Sequence, residues 1–172
     1  MHPTGRSRAE NRGTCRIFVL GGSAALGTPA AAYGFSRILQ VMLEERYPGA
    51  RFEVVNMAMT AINSHVVLPI ARDCARHEPD LFVVYLGNNE VVGPFGAGNP
   101  MVPLASSMAV IRAALFVKTT RTGQLLEQAI RAVSSSRAET ERWRGMEIFL
   151  ENQVRLSDEG MRTVYRHFRT NL

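Results

Sequence analysis

Lysine is almost absent from this 172-residue chain: Lys118 stands alone against nineteen arginines, and together they exceed the acidic residues by five charges. The arginines are spread along the chain without aromatic residues interleaved among them, which argues against a nucleic-acid partner. The densest group, Arg137 to Arg144, includes Glu139 and Glu141 and reads as a solvated mixed-charge face. Cysteine is scarce too. Cys15 and Cys74 have no metal-ligand spacing and form no dense disulfide framework. Cys74 lies on an apolar helical stretch and is expected to be a small core residue. No run of eighteen apolar residues occurs, so no transmembrane helix is expected. A secretory signal is mimicked by Arg6 to Arg16 followed by the apolar run Ile17 to Leu26. Gly21-Gly22 breaks that run, however, and residues 1–14 read as a disordered leader or the remnant of an upstream linker.

What is present is a composition that can build a core, with 46% hydrophobic and 20% charged residues. Arg16 to Leu20 is a short branched apolar run stopped by Gly-Gly, which predicts a buried strand. Residues 31–46 carry apolar positions at Phe35, Ile38, Leu39, Met42 and Leu43, a helical spacing ended by Tyr47-Pro48-Gly49. Phe52 to Met57 predicts a second strand, and Ser64 to His77 a second helix, kinked at Pro69 or starting later than Ser64. Leu81 to Leu86 (LFVVYL) is apolar throughout and predicts a third strand, buried on both faces as in a parallel sheet.

The order β-α-β-α-β implies right-handed crossovers and a doubly wound, three-layer α/β/α sheet. In such sheets ligands bind at the carboxyl ends of the strands. Those ends carry Gly21-Gly22-Ser23, residues 56–63, and Gly87-Asn88-Asn89-Glu90. After a glycine- and proline-rich loop at 93–103, residues 106–118 and 122–133 read as a helical hairpin that packs on the core or lies as an apolar lid. Residues 143–154 and 158–168 read as further helices, and no strand is expected after residue 86.

The turn FVLGGSAALG places a serine directly after a strand among small neighbours, which can expose its hydroxyl beside backbone N–H groups and a helix N-terminus. Ser23 as a plain helix cap is the competing reading. The turn lacks the G-x-G-x-x-G spacing of a dinucleotide site. Gly22 to Gly27 has the P-loop spacing, but Thr28-Pro29 stands where that loop needs lysine. Asn56 and Asn89, at the ends of strands 2 and 3, are each unremarkable alone, since asparagine is common in strand-end turns.

Together, Gly21-Gly22-Ser23, Asn56 to Ala61 and Gly87-Asn88-Asn89-Glu90 resemble the three N-terminal blocks of the SGNH (GDSL-type) hydrolases in order, spacing and strand context. The stretches GGSAALG, NMAMTAINSH and YLGNNEVVGPFG are similar to bacterial SGNH-like proteins found with tetratricopeptide repeats or a membrane anchor. The resemblance covers residues 15–172 as a partial SGNH domain with a helical insertion at about 94–145, and its specific motifs all lie before residue 97. It implies a flavodoxin-like fold of which three strands are present. It also implies an esterase, acylhydrolase or O-acyltransferase working through acyl-Ser23 on a small ester or acylated glycan without a cofactor. The oxyanion hole would comprise the N–H groups of Ser23 and Ala61 and the Asn89 side chain. Substrate contacts would come from Gly22, Asn63, His65, Asn88 and Glu90.

Gly22 and Glu90 each stand where the family has aspartate, and Ala61 stands where it has glycine. The family's D-x-x-H block does not occur here; the histidines are His2, His65, His77 and His167. The resemblance therefore implies a chain of weak or no activity by itself, completed by a missing C-terminal half or another polypeptide, or a non-catalytic module with an SGNH-like pocket. Asp73 and His77, four apart on a helix, predict a surface pair.

Overall fold

The computed structural model describes residues 13–99, 107–134 and 153–172. The chain forms two compact units: residues up to 62 together with 67–86, and residues 63–66 together with those from 87 onward.

The first unit is a three-stranded parallel sheet. Strand β1 (Thr14–Gly21) is followed by a four-residue helix α1 (Ser23–Leu26), a 3-10 turn (Ala31–Tyr33) and α2 (Phe35–Arg46). Then come β2 (Arg51–Asn56), α3 (Ser64–Cys74), a second 3-10 turn (Ala75–His77) and β3 (Leu81–Tyr85). The strand order is β2-β1-β3, with Ile17 opposite Val54 and Leu81, and Val19 opposite Asn56 and Val83. The chain steps from β1 to one side and then crosses back to the other. With right-handed connections, that reversal puts α2 and α3 on opposite faces, which is the doubly wound arrangement.

Strand alternation assigns the faces. Val19, Val54 and Val83 pack with Ala25, Leu26, Phe35 and Ala58 on the α2 side, where Phe35 also meets Tyr85 edge-on. On the opposite face Phe18 stacks against Phe82. The middle strand is the best covered, Ile17 to Leu20 being almost wholly buried.

Residues Leu81 to Tyr85 depart from the expectation of burial on both faces. Leu81, Val84 and Tyr85 are about half exposed, because β3 pairs with a described strand on one side alone. An apolar run reports the capacity for burial and not the number of neighbours. At the amino-terminal end of the sheet Arg16 ties the elements together, its Nε donating to Glu53 (2.6 Å) and its Nη1 to the His77 carbonyl. Asp73 pairs with Arg76 at 3.4 Å, in place of the expected contact with His77. Helix α3 does start at Ser64 and carries Pro69 within it; the cost is one missing N–H donor in the ladder. Cys74 is buried, as expected.

In the second unit, α4 (Met108–Thr119) and α5 (Arg121–Ser134) form the expected hairpin. Thr120 Oγ1 caps α5 by accepting from Gly123 N–H at 3.1 Å. Only glycine fits at 123, since a Cβ there would lie 1.9 Å from the Val117 carbonyl oxygen. Helix α6 (Glu159–Asn171) buries Met161, Val164, His167 and Asn171. Gln153 and Val154, expected to end a helix, are irregular chain, and the expected helical residues 143–152 lie outside the described residues.

Candidate functional site

In the first unit, residues from three places meet at the carboxyl end of β1. Gly21 ends the strand so closely against β3 that a Cβ would stand 2.4 Å from the Tyr85 carbonyl oxygen and 2.5 Å from Ala25 Cβ. Gly22 is the N-cap of α1, and Ser23 is its first helical residue, with its side chain outside the capping role. The Ser23 carbonyl accepts from Gly27 and Thr28 N–H at 3.1 and 3.2 Å, which closes the turn. Ser23 is half-buried, in contrast to the wholly buried Ala25.

The chain beyond β2 runs along the end of β1. Met57 and Met59 N–H donate to Val19 and Gly21 carbonyls at 2.9 and 3.1 Å. That backbone pairing lays residues 57–59 along the end of β1, two positions before Ala61. Ala61 lies in the left-handed region, with φ 58°. A non-glycine residue there costs about 1–2 kcal/mol, and such strain gathers at positions whose backbone groups are committed to a task.

Asn56, which the sequence marks only as the start of the second block, organises this corner. Asn56 Nδ2 donates to the Ala25 carbonyl (3.1 Å) and to Ser36 Oγ (2.9 Å), while its Oδ1 accepts from Ala58 N–H (3.0 Å). One amide side chain thus ties α1, α2 and the loop after β2 together. Its signal in the sequence was a polar residue closing an apolar strand.

The other candidate residues lie in the second unit. Asn88 is exposed and Asn89 half-buried on the turn 87–90, with Gly93 N–H donating to the Asn89 carbonyl at 2.7 Å. Asn63, Ser64, His65, Glu90, His167 and Asn171 are all buried. Asn63 Nδ2 donates to the Pro94 carbonyl at 2.7 Å. The Asn171 amide NH2 donates to Ser64 Oγ and His65 Nδ1, each at 3.1 Å. The Ser64 hydroxyl in turn donates to Glu90 Oε2 at 2.7 Å, and Ser64 N–H donates to Glu90 Oε1 at 2.8 Å.

Glu90 therefore caps the start of α3, where a helix N-terminus favours a carboxylate. Burial pushes its pKa up, and the two Ser64 bonds pull the other way. His65 stands edge-on to Phe95 and to His167, at 5.9 and 5.3 Å between ring centres. Burial first, then His167 and Arg112, push its pKa down to about 4. With Nδ1 accepting from Asn171, the neutral ring carries its proton on Nε2.

No protein-family profile and no curated protein matches this chain. Among solved structures it is similar to one titled "Crystal Structure of TesA", with 22% identity and a TM-score of 0.41 over 63% of this chain. The match takes in 55% of that structure's chain, so this chain spans little more than half its length. Among the described residues no group of three or more His, Cys, Asp or Glu side chains could hold a metal ion.

Proposed function

We propose that this chain carries the nucleophile and oxyanion-binding part of an SGNH-type serine hydrolase, acting on a small ester or acylated glycan through acyl-Ser23. The observation that carries this reading is the Ser23 turn. A half-buried serine follows the central strand of a parallel sheet directly, on a glycine pair, and is fixed from beneath by Asn56. The strained backbone of Ala61, on the loop paired to the same strand end, supports it.

In this mechanism Ser23 Oγ adds to the carbonyl carbon as its proton passes to a general base. The oxyanion is stabilised by the N–H groups of Ser23 and Ala61. Collapse expels the alcohol, which takes the proton. Water then releases the acid, or a second alcohol takes the acyl group. His77 is unsuited as the base, since its backbone bonds Arg16 at the opposite end of β1. His65 Nδ1 is already accepting from Asn171. Neither of these two histidines is assigned as the base, which in this proposal comes from another polypeptide.

A second reading, a binding module without turnover, is favoured by the same engagement of His65. Labelling with a fluorophosphonate, comparing wild type with Ser23→Ala, separates the two. Labelling that disappears in the variant supports an activated serine. A folded protein that remains unlabelled shows that Ser23 is not activated within this chain, which leaves the binding module or a base supplied by another polypeptide.

A further inference from the structure

The arginines look dispersed in sequence, but folding aligns three of them. On α6 the buried positions Met161, Val164, His167 and Asn171 fix which face is turned inward. Arg162, Arg166 and Arg169, spaced i, i+4 and i+7, share the opposite, exposed face. Tyr165 stands among them, about half exposed. With Thr170 these residues line a concavity of about 570 Å³.

Like charges at this spacing repel one another, and a soluble helix usually interleaves acids to relieve that. Here none of the three guanidiniums has an acidic partner among the described residues. The nearest polar contact is Arg166 Nη2 to Thr163 Oγ1 at 3.4 Å. Thr170 Oγ1 is turned to the Arg166 carbonyl (2.8 Å) and leaves the cations uncompensated. Arginine cannot shed its charge at any ordinary pH, so these exposed cations present a lasting positive face to an anionic partner.

We propose that this face of α6 docks on an anionic phospholipid surface, with the arginines on headgroup phosphates and Tyr165 at headgroup depth. The inference goes beyond the hydrolase reading and does not depend on Ser23. A planar array of phosphates fits the face better than a nucleic-acid strand. The three arginines span roughly 10 Å of helix, and one exposed aromatic offers a single stacking platform where strand-tracking surfaces use several. Tyrosine beside arginine is the pairing favoured at the membrane–water interface. Because the apolar side of α6 is occupied within its own unit, the helix lies on the surface without inserting. Its binding is therefore electrostatic and peripheral.

The test is co-sedimentation of the protein with vesicles of phosphatidylcholine alone or mixed with phosphatidylglycerol. Binding to the mixed vesicles only is expected, falling roughly fivefold per arginine lost and about a hundredfold in Arg162→Gln/Arg166→Gln/Arg169→Gln. The corresponding triple lysine variant should remain within a few-fold of wild type. Equal binding to neutral vesicles, or a glutamine variant that melts like wild type and binds undiminished, would overturn the proposal. So would stronger binding to a mixed-sequence oligonucleotide than to vesicles at the same salt. The wild-type salt titration needs no variant: binding that survives about 1 M salt, where the screening length is roughly 3 Å, refutes it.

Discussion

Replacing Asn56 by leucine keeps the branched outline of the side chain, with bulkier methyl groups in place of the amide, and tests what holds the Ser23 turn. Three good hydrogen bonds are lost, to the Ala25 carbonyl, to Ser36 Oγ and from Ala58 N–H. The contact with the Leu26 carbonyl, at 3.4 Å, is long and adds little. At a net 0.5–1.5 kcal/mol per bond the loss comes to about 3 kcal/mol. The figure is the middle of that range, since Ala25, Ser36 and Ala58 are buried while Asn56 itself is half-buried. For a protein of this length about 3 kcal/mol corresponds to a fall in Tm of roughly 6–12 °C. Thermal and urea unfolding followed by circular dichroism measure it. A Tm within about 2 °C of wild type would refute the reasoning. It would mean that packing of Val19, Ala25 and Ala58 holds the turn and that Asn56 is incidental.

Ala61→Gly removes the Cβ that makes φ 58° costly while keeping the N–H. Stability should rise by about 1 kcal/mol, a Tm gain of roughly 2–4 °C, with fluorophosphonate labelling at least as strong. A lower Tm would show that the strain is not there. Acidification should weaken the second unit. His65 titrates near 4 in the folded state against an ordinary 6.5, so the unfolded chain takes up its proton first. The stabilisation is complete above pH 6.5 and is lost as pH falls from there to about 4, at most ~3 kcal/mol. Protonation would set a cation against His167 and Arg112. Glu90, raised by burial, opposes the trend from above its ordinary value. His65→Asn keeps an acceptor for Asn171 and should flatten the pH profile of urea unfolding; an unchanged slope would assign it to other groups.

Periodicity and turn chemistry sufficed to read the β-α-β-α-β order, the α4–α5 hairpin and the absence of a described strand after residue 86. Those features are local: branched runs stopped by glycine, apolar residues at helical spacing, and Pro-Gly stops. The same logic left two readings open at Pro69, of which the helix from Ser64 with the proline inside it is the one found, and it erred at residues 81–85, where composition cannot count neighbouring strands.

The sequence by itself determined that a serine would stand on a glycine turn after the first strand, because that placement depends on residues within a few positions of it. Only the tertiary structure decided what surrounds the candidate residues. Asn56 reaches α1 and α2 across 31 and 20 positions, Glu90 caps a helix 26 residues earlier, and Asn171 bonds Ser64 across 107. Hydrogen bonds between side chains so far apart leave no periodic trace. A polar residue destined for burial is spelled the same way as one left in water. The alignment of three dispersed arginines on one face follows from the same cause, since the inward face of α6 is chosen by what it packs against.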